Sequence, residues 1–218
     1  MRIRCSTLAA GTALFAATLL SVSGCAPTSL GYLNVEDARI VDHMRLDGHY
    51  HESMLNDAVG VAILDATTVG VAIGVTSGHG VVMRRLGEKW SPPVPVSIVS
   101  GSIGLQLGGK HAKMLMIFRS NERFDSFVFD NTDFVAEATG TAGIETGGAG
   151  NPLHKEDVEL IADVDGFYGG AVIGGIGVSI NTSLMHEEYG HDANAHDILS
   201  GNATTPPGAL AIWTALDG

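Results

Sequence analysis

Apolar and polar positions change period several times along this chain, and each change predicts an element. Leu8–Leu20 is an apolar run of Ala, Leu, Phe, Gly and Thr after a short basic start at Arg2 and Arg4. It is too short to span a bilayer comfortably and suits the core of a signal peptide. From Asn34 a helical period sets in: Val35, Ala38, Val41 and Met44 share one face, Asn34 can cap the helix, and Asp37 sits in its first turn. Gly48 ends it, His49–Asn56 reads as a second short helix, and Val59–Leu64 (VGVAIL) reads as a buried strand. In Val69–Arg85 the bulky residues Val69, Val71, Ile73, Val75, Val81 and Met83 are odd-numbered. Gly70, Ala72, Gly74, Gly78 and Gly80 are even-numbered. With a side-chain period of two, one face is bulky and the other almost bare, so a second layer or a ligand can come close to it. Ser77-Gly78-His79-Gly80 is the expected turn of a hairpin.

Further along, three prolines (Pro92, Pro93, Pro95) make Ser91–Val96 an extended entry or an edge. Between Val96 and Gly109 the bulky positions change parity, which predicts a bulge at Gly101. Met114–Phe118 is uniformly apolar, as in a central strand, and Ser120 can cap a helix over Asn121–Phe129 that buries Phe124, Phe127 and Val128. Phe134–Glu145 alternates weakly, and Thr146–Lys155 is a glycine-rich loop. Leu160–Val164 and Phe167–Ile180 read as the last long strands, turning at Asp165-Gly166. Gly166–Met185 carries no charge, but six glycines argue for strand over a membrane helix. Asp192 can cap a helix over Ala193–Leu199, and Gly208–Leu216 is a final short helix. The expected fold is α+β: one domain rich in antiparallel sheet, open or closed into a barrel, with a few flanking helices.

Composition narrows the function. The apolar run ends in Leu20-Ser21-Val22-Ser23-Gly24-Cys25, which resembles the lipobox of bacterial lipoproteins, where the cysteine is acylated and the chain is cut before it. The expected layout is a signal peptide at 1–24, a lipidated N-terminus and tether at 25–33, and a domain at 34–218. Ala26 in second place fits an outer-membrane address. Cys5 would leave with the signal peptide and Cys25 would carry lipid, so no disulfide, Cys-ligated metal or catalytic cysteine is expected. Without residues 1–24 the chain holds 10 basic against 24 acidic residues, a balance of −14 that disfavours nucleic acid. It also disfavours general adsorption to anionic lipid.

The residues read in order also resemble the SYLF or Ysc84-type lipid-binding domain. The resemblance is carried by Val59–Leu64, by Gly80–Arg85 ahead of Trp90-Ser91-Pro92-Pro93, and by Ser97–Gly109 (SIVSGSIGLQLGG). It continues through Met114–Phe118 before Asn121-Glu122-Arg123, then Glu188-Tyr189-Gly190 and Ile198-Leu199-Ser200-Gly201. It covers about residues 35–216. It implies one phospholipid-binding domain with no enzymatic activity and no cofactor; bacterial members are typically envelope lipoproteins. Eukaryotic relatives are described as phosphoinositide binders, some also associating with actin. The basic N-terminal helix those relatives offer is not evident here, where Glu36, Asp37, Asp42 and Asp47 stand against Arg39 and Arg45. Neither head-group preference nor actin carries over.

Lipid binding needs apolar surface for chains and a cation for phosphate. The candidate contacts are Arg84, Arg85 and Lys89 beside Trp90, then Lys110, Lys113 and Arg123, with Arg119 among them. A tryptophan beside cations suits a membrane interface, and equally suits a solvated hairpin end with a core ring. Nine histidines invite a metal test. His186-Glu187-Glu188-Tyr189-Gly190-His191 has one residue more than HExxH, which turns the second histidine about 140° away on a helix. No metal site is expected. The expected partner is phospholipid or a membrane surface. The competing classes are a structural or adhesive surface lipoprotein and a metal-dependent envelope hydrolase using residues 186–197.

Overall fold

The structure is a computed structural model that describes residues 29–130, 157–174 and 177–218. Among the described residues the fold is α+β, with an antiparallel sheet that does not close and five α-helices. In chain order come α1 (Leu30–Leu46), a 3-10 turn (Glu52–Leu55), β1 (Gly60–Leu86), β2 (Lys89–Trp90), β3 (Val94–Phe118) and α2 (Asn121–Phe129). After these come β4 (Val158–Gly174), β5 (Val178–Ile180), α3 (Thr182–Tyr189), α4 (Ala195–Leu199) and α5 (Ala209–Asp217). The strand order is β2-β1-β3-β4, with β5 on β3. Segments 134–145 and 146–155 lie outside the described residues.

Two strands are far longer than their sequence punctuation suggests. β1 runs through Ser77–Gly80, and the expected hairpin turn is instead at Gly87, whose φ of 66° suits glycine, with Leu86 paired to Lys89. β4 likewise runs through Asp165-Gly166, which pair with His111 and Lys110. The bulge expected at Gly101 falls later. Gly101 pairs regularly with Val75, and the ladder slips between Val71 (opposite Leu107) and Ile73 (opposite Ile103).

β1 is nonetheless not one straight ribbon. Thr68 and Thr76 share a hydroxyl hydrogen bond of 2.8 Å, and Arg85 N donates to Val59 O at 2.9 Å. The strand therefore doubles back near residue 72, and its two limbs lie side by side. A Cβ on Gly78 would fall 2.8 Å from Ala66 Cα, and one on Gly80 2.9 Å from Leu64 Cα. The bare face read from the sequence is thus bare for close backbone approach, and the layer that comes close is the same strand's other limb.

The core has two parts, one on each face of the sheet. Val61, Ile63, Val81, Met83, Leu115 and Ile117 pack under α1 and α5. Ala62, Leu64, Val82, Met114, Met116 and Phe118 pack with α2 and α4. Met114–Phe118 is buried throughout, as expected of the strand between two others. α2 buries Phe124, Phe127 and Val128 as read, with Phe118 and Phe124 edge to face at 5.4 Å.

α1 begins four residues before Asn34. Ser29 caps it by accepting from Tyr32 N at 3.2 Å, so Leu30–Leu33 are helix, not tether. α4 is capped by Asn194, not Asp192, and α3, capped by Asn181, was not anticipated. The buried Tyr50, just after α1, donates to Leu216 O at 2.5 Å, tying the region to α5. Removing that hydroxyl orphans a buried carbonyl, so Tyr50→Phe is expected to lose about 1 kcal/mol. A thermal melt should show a fall of roughly 2–4 °C.

Candidate functional site

The expected lipid contacts do not form one patch. Arg84, Arg85, Lys89 and Trp90 lie at the hairpin end, beside residue 59 of the first limb, while Lys110 pairs with Thr68. Nine residues of strand separate the two groups, about 30 Å at 3.3 Å each. Arg123 lies on α2.

At the hairpin end the charges are taken. Arg84 pairs with Asp125, donates to Asn121 Oδ1 at 2.9 Å, and lies 4.7 Å over the Phe124 ring. Arg85 stacks 4.7 Å over Trp90 and reaches Asp217 at 3.5 Å. Trp90 is buried and donates from Nε1 to Asp217 at 3.2 Å, so it is a core ring and not an interfacial one. Lys89 is exposed. Arg123 faces Asp157 at 3.6 Å, and Arg119 donates to Glu159 at 2.6 Å. Tyr189 OH donates to Pro93 O at 2.7 Å, and Trp213 Nε1 to Ser91 O at 3.2 Å. The Trp90–Pro93 and Glu188–Gly190 segments therefore meet as a structural knot. A hollow of about 210 Å³ between Arg84, Asp125, Phe129, His196, Leu199 and Ser200 offers a guanidinium that is already neutralised.

The middle of the sheet carries a second group of charges. Three of four successive levels of the ladder carry Asp65–Lys113–Asp163, Thr67–His111–Asp165 and Thr68–Lys110–Gly166 across β1, β3 and β4, with Ala66–Ala112–Val164 between the first two. His111 Nε2 lies 2.5 Å from Asp65 Oδ1, and His43 of α1 lies 3.9 Å from Asp163. Lys110 is half-buried, and that burial holds its ammonium below the ordinary lysine range. Along each of the three strands a charge-free run begins at or near this belt. β1 has no Asp, Glu, Lys or Arg from Ala66 to Met83, β3 none from Val94 to Gly109, and β4 none from Gly166 to Gly174. The belt thus sets a lysine on the central strand against a broad uncharged reach of sheet.

Under the belt lies a residue the sequence reading misplaced. Asp37 is fully buried on the inner face of α1, neither carboxylate oxygen has a partner, and burial with Asp65 and Glu36 nearby pushes its carboxyl well above the usual range. Its signal was visible: Leu33 and Val41, one turn to either side, lie on the helix's apolar face. Among the described residues no three His, Asp or Glu side chains are grouped to hold a metal ion. The His186 and His191 rings meet edge to face at 5.1 Å. No described helix is long and apolar enough to cross a membrane.

The chain is similar to known proteins over most of its length. Residues 99–218 match the family model Ysc84, described as Las17-binding protein actin regulator. SH3 domain-containing YSC84-like protein 1 of Bos taurus is 25% identical over 165 residues, 73% of this chain and 48% of that protein. The Homo sapiens protein of the same name is 24% identical with the same coverage. Protein YSC84 of Saccharomyces cerevisiae is 25% identical over 174 residues, 75% of this chain and 36% of its own length. The chain therefore spans half or less of these relatives. No solved structure matches it significantly.

Proposed function

The chain belongs to the Ysc84 family, and from that premise we propose that it is an envelope lipoprotein whose domain binds phospholipid without catalysis. In this reading Cys25 carries the acyl anchor, on the outer membrane, and the domain makes its own contact with lipid. The observation that carries the reading is the half-buried Lys110 on the central strand, set where three paired strands all become charge-free. An ammonium beside an apolar surface is the combination a phosphate on an acyl-bearing molecule requires. The hairpin-end cations contribute little in this reading, because Asp125 and Asp217 already occupy Arg84 and Arg85.

The test is co-sedimentation with phosphatidylglycerol and with phosphatidylcholine vesicles at two salt concentrations. Every arm keeps the same N-terminus, so differences report the domain. Replacing Lys110 and Lys113 by Ala is expected to weaken binding to phosphatidylglycerol several-fold and to flatten its salt dependence. Replacing Arg84 and Arg85 is expected to lower thermal stability with little effect on binding per folded molecule. Equal binding by the lysine variant, insensitive to head group and salt, would leave the anchor as the sole membrane contact and favour a structural surface lipoprotein.

A further inference from the structure

Three oxygen atoms on the inner face of α1 are buried with no hydrogen-bond partner among the described residues: Asn34 Oδ1 and, one turn on, Asp37 Oδ1 and Oδ2. Buried polar atoms are rarely left so, and three on one face of one helix call for a reason. Asn34 Nδ2 donates to Pro207 O at 2.9 Å, which fixes the orientation of the amide and leaves its oxygen unbonded. The carboxyl of Asp37 thus sits beside an acceptor and finds no donor. We propose that Asp37 is a proton latch: as the neutral acid it lets the first half of α1, residues 30–41, sit on the sheet, and loss of its proton to water releases that half.

The groups packed around α1 give an anion at this position no support. Glu36 on the same helix and Asp65 of β1 both repel it. On β3, His111 lies 2.5 Å from Asp65 Oδ1, and Lys113 stands between Asp65 and Asp163 on the ladder. On β4, Asp163 faces His43, which also reaches Asp47 at 3.2 Å. Arg39 pairs with Glu36, and Arg45 is eight residues on, about 12 Å along the helix. α5 carries no charge before Asp217. α3 adds Leu184 to this core, while its His186, Glu187 and Glu188 keep some exposure. Burial and the two neighbouring acids accordingly hold the seated carboxyl well above the ordinary carboxylate range.

The two halves of α1 are fastened unequally. Arg45 donates to Ala215 O and Tyr50, just past the helix, to Leu216 O. Among the described residues, Asn34 to Pro207 O is the one side-chain hydrogen bond from residues 30–41 to another element. Release of the first half uncovers Leu33 and Val41, while the second half stays on α5. Once released, the carboxyl ionises at its ordinary value of 3.8. Above that pH the released form gains about tenfold per pH unit, until the seated group ionises too.

The test is hydrogen exchange of the full chain from pH 5 to pH 7, followed by mass spectrometry and corrected for the intrinsic rate. The latch predicts that protection of amides 34–41 falls by up to about a hundredfold over that range. It also predicts that this protection stays below that of Val61–Leu64, because the helix opens without the sheet. Asp37→Asn, neutral at every pH, should hold its protection within about twofold, and His43→Gln should keep the response of the parent. Infrared difference spectra at pH 6, parent minus Asp37→Asn, should show the carbonyl stretch of a neutral carboxylic acid. A carboxylate band in its place overturns the latch. Exchange of 34–41 in step with 61–64 overturns it as well, since only global unfolding would then be seen. A pH response kept by Asp37→Asn, or lost in His43→Gln, assigns the proton to another group and overturns it too.

Discussion

Gly80→Ala is expected to destabilise the domain by about 3 kcal/mol, lowering its melting temperature by roughly 6–12 °C. The added methyl would press into the Ile63 carbonyl oxygen and sit 2.9 Å from Leu64 Cα. Both obstacles are backbone, and both are fixed: Ile63 is paired with Leu115, and Gly80 with Val96. Neither limb of β1 can retreat without breaking its own ladder. Gly109→Ala is the matched control, because its Cβ would meet nothing closer than 3.7 Å. It lies in the same sheet and should melt within about a degree of the parent. Equal melting temperatures for the two variants would mean that the limbs are not in contact and that β1 does not double back.

Asp37→Leu should act in the opposite direction, stabilising the protein by about 2–3 kcal/mol at neutral pH and raising the melting temperature by roughly 5–10 °C. The native carboxyl is fully buried, its two oxygens have no partner, and it faces Asp65 and Glu36. Asp65 is in turn held by His111. The sign of the pH dependence follows from the raised carboxyl. Below its ordinary value of 3.8 both the folded and unfolded forms hold the proton, and ionisation contributes nothing. As pH rises above that value the unfolded chain releases its proton while the folded one keeps it, so native stability falls until the folded group also ionises. The advantage of Asp37→Leu should therefore shrink to about 1 kcal/mol near pH 4 and widen towards neutrality. Melts across that range check it. A destabilised Leu variant at pH 7 would show that the carboxyl has a partner.

The two long strands show where the sequence is legible and where it is not. Alternation identifies Val69–Met83 and Met114–Phe118 as strand because a sheet side chain's direction depends only on local backbone. Glycine pairs cannot be assigned locally. Gly78 and Gly80 read as a turn, yet they serve a contact with residues 63–66 that only the doubled-back chain creates. Asp165-Gly166 misled in the same way. The candidate cations were found one by one, but whether each is available depended on acids far away in sequence, such as Asp217 for Arg85 and Asp125 for Arg84. Asp37 was read as a first-turn acid because the helix start was placed at Asn34. Moving the cap back to Ser29 turns the same residue into a buried one.

The packing of α1 on α5 has a consequence for biogenesis. Arg45 of α1 donates to Ala215 O at 2.5 Å, and Tyr50 to Leu216 O, so the first helix is completed by the last. About 160 residues separate them, and at ~5–20 residues per second a ribosome needs roughly 8–30 seconds to make that stretch. Throughout that interval Leu33, Ile40, Val41 and Met44 emerge without their final partner. The ladder joining Gly60 to Phe118 also closes late, as nonlocal strand pairing does. A nascent chain of this kind depends on holding factors more than its finished form does, and its window of vulnerability to proteases and aggregation is set by translation speed.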